Sequence, residues 1–420
     1  MREGWGIRPL AEVCEIKPPK HEVRSRLADD APVSFVSMND LGIREKWLLP
    51  KGERPLASVA GSYTYFADGD VLLAKITPCF ENGKLGIARG LTNGVGFGSS
   101  EFVVLRPSEA LDAEFLFYFL SQDSFRDAGA RVMSGAVGHK RVPKEFIQGA
   151  EIPIPPLPEQ KRIVAILDEA FAGIDAAIAN TEKNLANARE LFESYLNAVF
   201  SQRKEGWCHA KLGREIDLQT GFAFKSKGYT TDVDGVRLLR GDNIVPGGIR
   251  WRAHKKWPRD DTKPYKRYEL VEDDIVLAMD RTWVKGGLKY GQIKSADLPC
   301  LLVQRVARLR AGSRLNSEFL RFLIGSRGFT EYILSIQTGL GVPHVSGSQI
   351  SEFEFFLPSV DEQAEIAGTL EGMSSSVGRL ESIYEAKHAA LCELKQSLLQ
   401  KAFSGDLTAV PQDEIEDALA

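Results

Sequence analysis

The second half of the chain repeats the first at an offset of 202 to 204 residues. Gly4-Trp5 followed by GIRPLAEVCEI corresponds to Gly206-Trp207 followed by CHAKLGREI. GDVLLAKI (Gly69 to Ile76) corresponds to DDIVLAMD (Asp273 to Asp280), and LDAEFLFYFL (Leu111 to Leu120) to LNSEFLRFLI (Leu315 to Ile324). EIPIPPLPEQ (Glu151 to Gln160) corresponds to EFFLPSVDEQ (Glu354 to Gln363), and each half closes alike, AVFSQ around Phe200 and KAFSG around Phe403. A period this long exceeds the roughly 20 to 50 residues of a solenoid repeat. It describes a duplicated domain-plus-helix unit. The copies diverge most in Lys17 to Gly69 and Leu218 to Asp273. A shared scaffold with different loops suits two domains that do one kind of job on different targets.

A long helical pattern follows each globular segment. In the second copy, apolar residues recur at Ile366, Leu370, Met373, Val377, Leu380, Tyr384, Leu391, Leu394 and Leu398, in steps of four and three. That is a heptad seam, broken only at Lys387 and Lys401. The first copy repeats it through Ile163, Leu167, Ala170, Ile174, Ile178, Leu185, Ala188, Phe192, Tyr195 and Val199, with Thr181 polar and a stutter at Ile174. Ser359 and Glu362 fit a capping box, and Pro158-Glu159 puts proline and an acid in a first turn. About 40 residues give roughly 60 Å of helix. A narrow seam needs a partner, and the other copy supplies one. Two equal units that bury their helices on each other around a pseudo-twofold axis pair them antiparallel, with a globular domain at either end.

The globular segments alternate short β-like runs (Val71 to Ala74, Glu101 to Leu105, Asp274 to Leu277, Val303 to Val306) with amphipathic helices at Ala113 to Leu120 and Ser317 to Ile324. The fold class expected is α+β. Domain bounds follow: 1–155, a central helix 156–203, 204–357, a C-terminal helix 358–407 and a flexible tail 408–420. GVGFGSS (Gly94 to Ser100) reads as a turn into the strand after it.

Net charge is −4, so any binding of nucleic acid must be local or shared with partners. Arg250 to Arg267 supplies a local patch: Arg250, Arg252, Lys255, Lys256, Arg259, Lys263, Lys266 and Arg267, interleaved with Trp251, Trp257, Tyr265 and Tyr268. Such a stretch holds phosphates while its aromatics fill or stack. Polar, glycine-containing loops follow the central strand of each copy. The first holds Lys75, Thr77, Asn82 and Lys84, and the second Arg281, Trp283 and Lys285. A further pair comprises Gly138-His139-Lys140-Arg141 and Gly341-Val342-Pro343-His344. With Lys225, these side chains are candidates for touching DNA, because Arg, Lys, Asn and Thr read base edges.

Five scattered cysteines without a CxxC pair, and six histidines without HxH or HExxH, suit reduced thiols and no metal centre. No apolar run approaches the roughly 18 residues of a spanning helix, and no leader precedes MREGWGIRPL, so the chain reads as soluble and cytoplasmic. It has no GxxxxGK[ST] and no Asn/Asp-Pro-Pro-Tyr/Phe tetrapeptide for attack by an exocyclic base amine. It reads as a reader of DNA without a catalytic site.

Domain, PIPPLPEQKRIVAILD, a similar domain, then ELKQSLLQKAFSGDL (Glu393 to Leu407) resembles the specificity subunit of Type I restriction–modification systems. GDVLLAKITPCFENGK and FGSSEFVVLRP resemble its first target-recognition domain. The resemblance covers nearly the whole chain. It implies that each domain reads one half of an asymmetric, bipartite DNA site. The helix pair then spans the unread base pairs and docks two modification subunits, which use S-adenosylmethionine to methylate adenine. Restriction subunits, using ATP and Mg, join that core. The second copy departs from the pattern, with SVDEQ for PLPEQ and MDRTWVKGG for KITPCFENG.

Overall fold

The computed structural model describes residues 4–136, 138–339 and 342–409. Gly341 of one expected loop and residues 410–420 of the expected tail lie outside them. Its contacts gather into two units, Met1–Thr181 with Glu385–Ala420, and Glu182–Tyr384.

In the first unit, strands β1 (Cys14–Ile16), β2 (Val71–Ala74) and β3 (Phe102–Pro107) lie in the antiparallel order β1-β3-β2. Leu85–Ala88 and Trp47–Leu48 extend them to five strands. The unbroken apolar run of β2 follows from burial on both faces. Val71 and Leu73 enter one core with helix α1 (Ala113–Leu120), while Leu72 and Ala74 join Val36 and Phe66 of a second, four-stranded sheet. Val95–Gly98 is a strand of that second sheet and not the expected turn. Its glycines have a packing reason: a Cβ on Gly96 would come within 2.2 Å of the Phe66 ring, and one on Gly98 within 2.6 Å of the Val36 carbonyl. Asp112 caps α1 by accepting from the Glu114 and Phe115 amides. The edge strand Glu151–Ile154, paired with Gly6–Pro9, then leads into helix α2 (Leu157–Ser201).

The second unit repeats the scheme. Strands β4 (Ile216–Thr220), β5 (Ile275–Ala278) and β6 (Val306–Ala311) lie in the order β4-β6-β5. Leu309 stands opposite Ile275 as Leu105 stands opposite Val71. The expected run Val303 to Val306 is not one strand. Cys300–Leu302 belongs to a different sheet, and the chain turns at Arg305 (φ 67°) before β6 begins. Helix α3 (Ser317–Gly325) is capped by Asn316, and Glu354–Leu357 leads into helix α4 (Val360–Ser404). Each unit also holds a fork-shaped ion pair on a buried carboxylate. Arg106 grips Asp70 at 2.8 and 2.9 Å, and Arg310 grips Asp274 at 2.7 and 2.8 Å.

The duplicated Glu-Gln motif closes each domain onto its helix. Gln160 is fully buried. Its Oε1 accepts from the Asp112 amide at 2.8 Å, and its Nε2 donates to the Ala110 and Pro155 carbonyls at 2.9 and 2.8 Å. Gln363 does the same with the Asn316 amide and the Arg314 and Pro358 carbonyls, at 2.8, 2.9 and 2.9 Å. One buried glutamine side chain therefore satisfies three backbone groups at a helix start. At α4 the expected capping box forms as well: Glu362 accepts from the Ser359 hydroxyl at 2.7 Å and from its amide at 3.1 Å.

Helices α2 and α4 have 45 residues each, about 68 Å at 1.5 Å per residue. In the first unit, Lys395 of α4 donates to Asp175, and Thr408, just past the end of α4, to Glu159, each at 2.5 Å, so partners ascend along this segment as they descend along α2. In the second unit, Arg189 meets Glu381 at 2.8 Å and Leu196 packs with Leu370. The pairing is antiparallel within each unit, as expected. Of the expected seam, Ile163, Leu167, Ile174 and Leu370 are buried, and Leu185, Phe192, Ile366, Val377, Leu391 and Leu398 are half-buried. Thr181 stays in the seam because its hydroxyl donates to the Ala177 carbonyl at 2.7 Å.

Leu394 is a correction: it is 41% exposed. Lys395 takes the inward place, its ammonium on Asp175 and 4.9 Å from the centre of the Phe171 ring. Beyond it the buried stripe turns by one residue to Leu399, Ala402 and Phe403, because the end of α4 packs on α1 (Phe403 to Phe115, 4.8 Å between ring centres). The end of α2 turns alike. Tyr195 is 39% exposed, Leu196 and Val199 are buried, and Phe200 lies 5.1 Å from Phe319 of α3. The phenylalanines of the repeated Phe-Ser endings thus pack into the cores. Leu407 and Thr408 are buried too, although residue 408 was expected to open a flexible tail.

Candidate nucleic-acid interface

In each unit the backbone joins the two loop families read from the sequence. In the first, the Thr77 amide donates to the Lys140 carbonyl and the Val142 amide to the Lys75 carbonyl, both at 2.9 Å. In the second, the Arg281 amide donates to the Pro343 carbonyl and the Val345 amide to the Met279 carbonyl, again at 2.9 Å. Isolated bridges Ile76 to Arg141 and Asp280 to His344 stand at equivalent places. A single scaffold therefore presents Lys75, Thr77, His139, Lys140 and Arg141 together in one unit, and Arg281 beside His344 in the other.

The side chains at these equivalent bridges differ. Arg141 is held by Glu101 in a two-pronged ion pair at 2.9 and 2.7 Å, and those hydrogen bonds hold the Glu101 carboxyl below the usual range. In the second unit, Asp280 takes the place of Ile76. Its Oδ1 lies 2.6 Å from His344 Nδ1 and 3.5 Å from Arg305, which stands where Glu101 does. Sequence reasoning missed Glu101, Asp280 and Arg305. The signal was available, since Glu101 and Arg305 stand at the same repeat offset with opposite charge.

The other candidates vary in freedom. Asn82 is exposed, Thr77 donates to Glu81 at 2.8 Å, and the Lys75 ammonium donates to the Ser100 carbonyl at 3.0 Å. Lys84 is half-buried, its ammonium committed to the Met38 and Leu41 carbonyls at 2.7 and 2.9 Å. Trp283 (47% exposed) and Lys285 sit on a small hairpin, Trp283–Val284 against Gly287–Leu288. Lys225, Arg250, Arg252 and Lys255 are exposed, while Lys256 donates to the Asp232 and Val233 carbonyls at 3.1 and 2.9 Å.

The aromatics of the basic stretch fill rather than stack. Trp257 lies on Phe224, Tyr265 on Phe222 and Phe224, and Tyr268 on Phe222, all with ring centres 4.8 to 5.4 Å apart. Trp251 donates to Asp297 at 2.6 Å beneath the Arg237 guanidinium. Phe222 and Phe224 in GFAFK mark this satellite core in the sequence.

Among the described residues no group of His, Cys, Asp and Glu could hold a metal ion, and no helix is long and apolar enough to cross a membrane. Burial pushes the Cys14 and Cys300 thiols up to about 12, whereas Cys208 and Cys392 are exposed. At pH 8 a disulfide reagent is therefore expected to label Cys208 and Cys392 quickly and Cys14 and Cys300 only after unfolding. Rapid labelling of Cys300 in the folded chain would contradict its burial. With folded values above the ordinary 9.0, these thiols contribute stability that is complete below pH 9 and declines as pH rises toward 12.

Comparison with known proteins agrees with this architecture. Residues 2–186 match the family described as Type I restriction modification DNA specificity domain. The EcoAI specificity subunit of Escherichia coli is 28% identical over 96% of this chain and 83% of its own length. The MjaVIII specificity subunit of Methanocaldococcus jannaschii is 28% identical over 67% of this chain and 68% of its own. In fold, the HsdS subunit from Thermoanaerobacter tengcongensis superposes with a TM-score of 0.64 at 20% identity, covering 97% of this chain and 98% of that one. A chain solved in work on assembly and conformational transition of the type I restriction–modification system gives a TM-score of 0.80 at 19% identity, covering 97% and 99%. With a DNA specificity domain matched at residues 2–186 and likeness to such subunits along nearly all its length, the chain is similar to the Type I restriction–modification specificity subunits.

Proposed function

We propose that each unit reads one half of an asymmetric, bipartite site in double-stranded DNA, and that the chain itself performs no chemistry. The observation that carries this reading is the duplicated loop bridge with unlike side chains, Arg141 with Glu101 in one unit and His344 with Asp280 and Arg305 in the other. An identical frame offering different donors and acceptors suits two different half-sites. The paired helices set the number of unread base pairs between the halves and dock two modification subunits. Those partners bring S-adenosylmethionine and adenine methylation, and restriction subunits bring ATP and Mg. Such a complex works on DNA in the cytoplasm. Partner subunits closing on the duplex supply phosphate-binding charge that a chain of net charge −4 lacks.

Exchanging residues 1–155 for the corresponding domain of a divergent relative tests the reading. Methylome sequencing of a host carrying the chimera is expected to show one half of the modified motif changed and the other retained. A change in both halves, or in neither, would overturn independent reading.

A further inference from the structure

A groove of about 690 Å³ opens in the first unit beside the loop bridge. Five cations line it, Lys17, Lys20, Lys75, Arg141 and Lys144, and no acidic residue does. Among the described residues only Arg141 forms an ion pair, with Glu101, whose charge also acts on Lys75. Lys20 and Lys75 donate to neutral carbonyls, Lys20 to Ala60 at 3.2 Å and Gly61 at 2.9 Å, which leaves their charge in place. Burial first, and then the nearby charges of Lys17 and Arg24, lower Lys20 from its ordinary range. Lys17 and Lys144 are exposed, and neither side chain has a hydrogen-bond or ion-pair partner among the described residues.

The groove is built on stiff backbone. Lys17 holds a φ of 64°, which a lysine adopts only under constraint, and Pro18-Pro19 follow it. The groove is also peculiar to this unit. Where the first unit has Lys17, Lys75 and Lys144, the duplicated scaffold of the second has Gln219, Met279 and Gly347. Five like charges gathered around the single counter-ion Glu101 repel one another, and a polyanion relieves that repulsion.

We propose that this groove holds the sugar–phosphate backbone of the DNA beside the half-site read by the first unit, with Lys17 and Lys144 as its phosphate ligands. The inference rests on the DNA-reading role proposed above. It adds that the first unit anchors the duplex through a site the second did not inherit, so the lysines strengthen binding to every sequence while the loop bridge chooses among them.

The test uses the full chain in its complex with modification subunits, and labelled duplexes with the methylome-defined motif or a scrambled one. Anisotropy titrations over a salt series compare wild type with Lys17→Ala/Lys144→Ala. The double variant is expected to flatten the plot of log affinity against log salt by about 2 units, alike on both duplexes, with target choice unchanged. Between 50 and 200 mM salt that is about a tenfold smaller loss of affinity than in wild type. Lys144→Ala alone is expected to flatten it by about 1 unit, which keeps the test decisive if the double variant folds poorly. A wild-type complex that cannot tell motif from scrambled duplex would overturn the DNA-reading role itself. A discriminating wild type whose variants keep its salt slope would overturn only the groove. Loss of inorganic-phosphate binding by calorimetry, with the DNA slope unchanged, would make it a free-anion site and equally reject the backbone assignment.

Discussion

Replacing Gln160 with leucine is expected to destabilise the first unit by about 3 to 6 kcal/mol, although the two side chains have similar volume. Leucine restores the packing but leaves the Asp112 amide and the Ala110 and Pro155 carbonyls without their partner, the bond to Pro155 being fully buried and the other two partly. Each buried, unsatisfied backbone group costs about 1 to 3 kcal/mol, so three give about 3 to 9, and the partial exposure of two of them brings the upper end down to about 6. Gln363→Leu is expected to act alike on the second unit, where it would orphan the Asn316 amide and the Arg314 and Pro358 carbonyls. Amide hydrogen exchange resolves the two units: Gln160→Leu speeds exchange in α1 and the start of α2, and Gln363→Leu in α3 and the start of α4. A Gln160→Leu chain with wild-type protection in α1 would refute the junction's role.

Phe403→Ala is expected to cost about 3 to 5 kcal/mol, the usual range for removing a buried aromatic ring. Phe403 packs on Phe115 and Phe119 at 4.8 and 5.5 Å between ring centres, in the same core as Leu399, Ala402 and Leu407. Its loss frees the last turns of α4 from the first unit, so denaturant midpoints and exchange protection fall there together. Leu394→Ala on the same helix is the control. At 41% exposed, Leu394 is expected to change stability by no more than about 0.5 kcal/mol. Equal losses from the two substitutions would mean that the heptad seam continues straight to the end of α4.

This contrast shows how far a periodic pattern carries. The four-three spacing located both long helices and the partner each would seek, because a stripe every 3.5 residues is written in neighbouring positions. It could not show where the partner changes. At the ends of α2 and α4 the neighbour becomes α3 or α1, and the buried face rotates by one residue to meet it. The pattern alone favoured Tyr195 and Leu394; contact with a distant helix selects Leu196 and Leu399 instead. The basic stretch Arg250 to Arg267 carries the same lesson. Its aromatics are spaced among cations like a stacking surface, yet Phe222 and Phe224, from more than 25 residues upstream, pack against three of them and half-bury them.

The amino-acid sequence determined the duplication, the α+β class, the helix caps, the two seams and the loops that vary between copies. All are set by local spacing and by comparing one half with the other. Tertiary structure decided which loops meet, since Thr77 reaches Lys140 and Arg281 reaches Pro343 only through the ladders between them. It also decided which cations stay free: Lys84 and Lys256 are tied to carbonyls, while Lys17 and Lys144 are not. The reason is physical. A side chain's type fixes what it can bind, whereas burial and the groups brought beside it fix whether that capacity is already used within the fold.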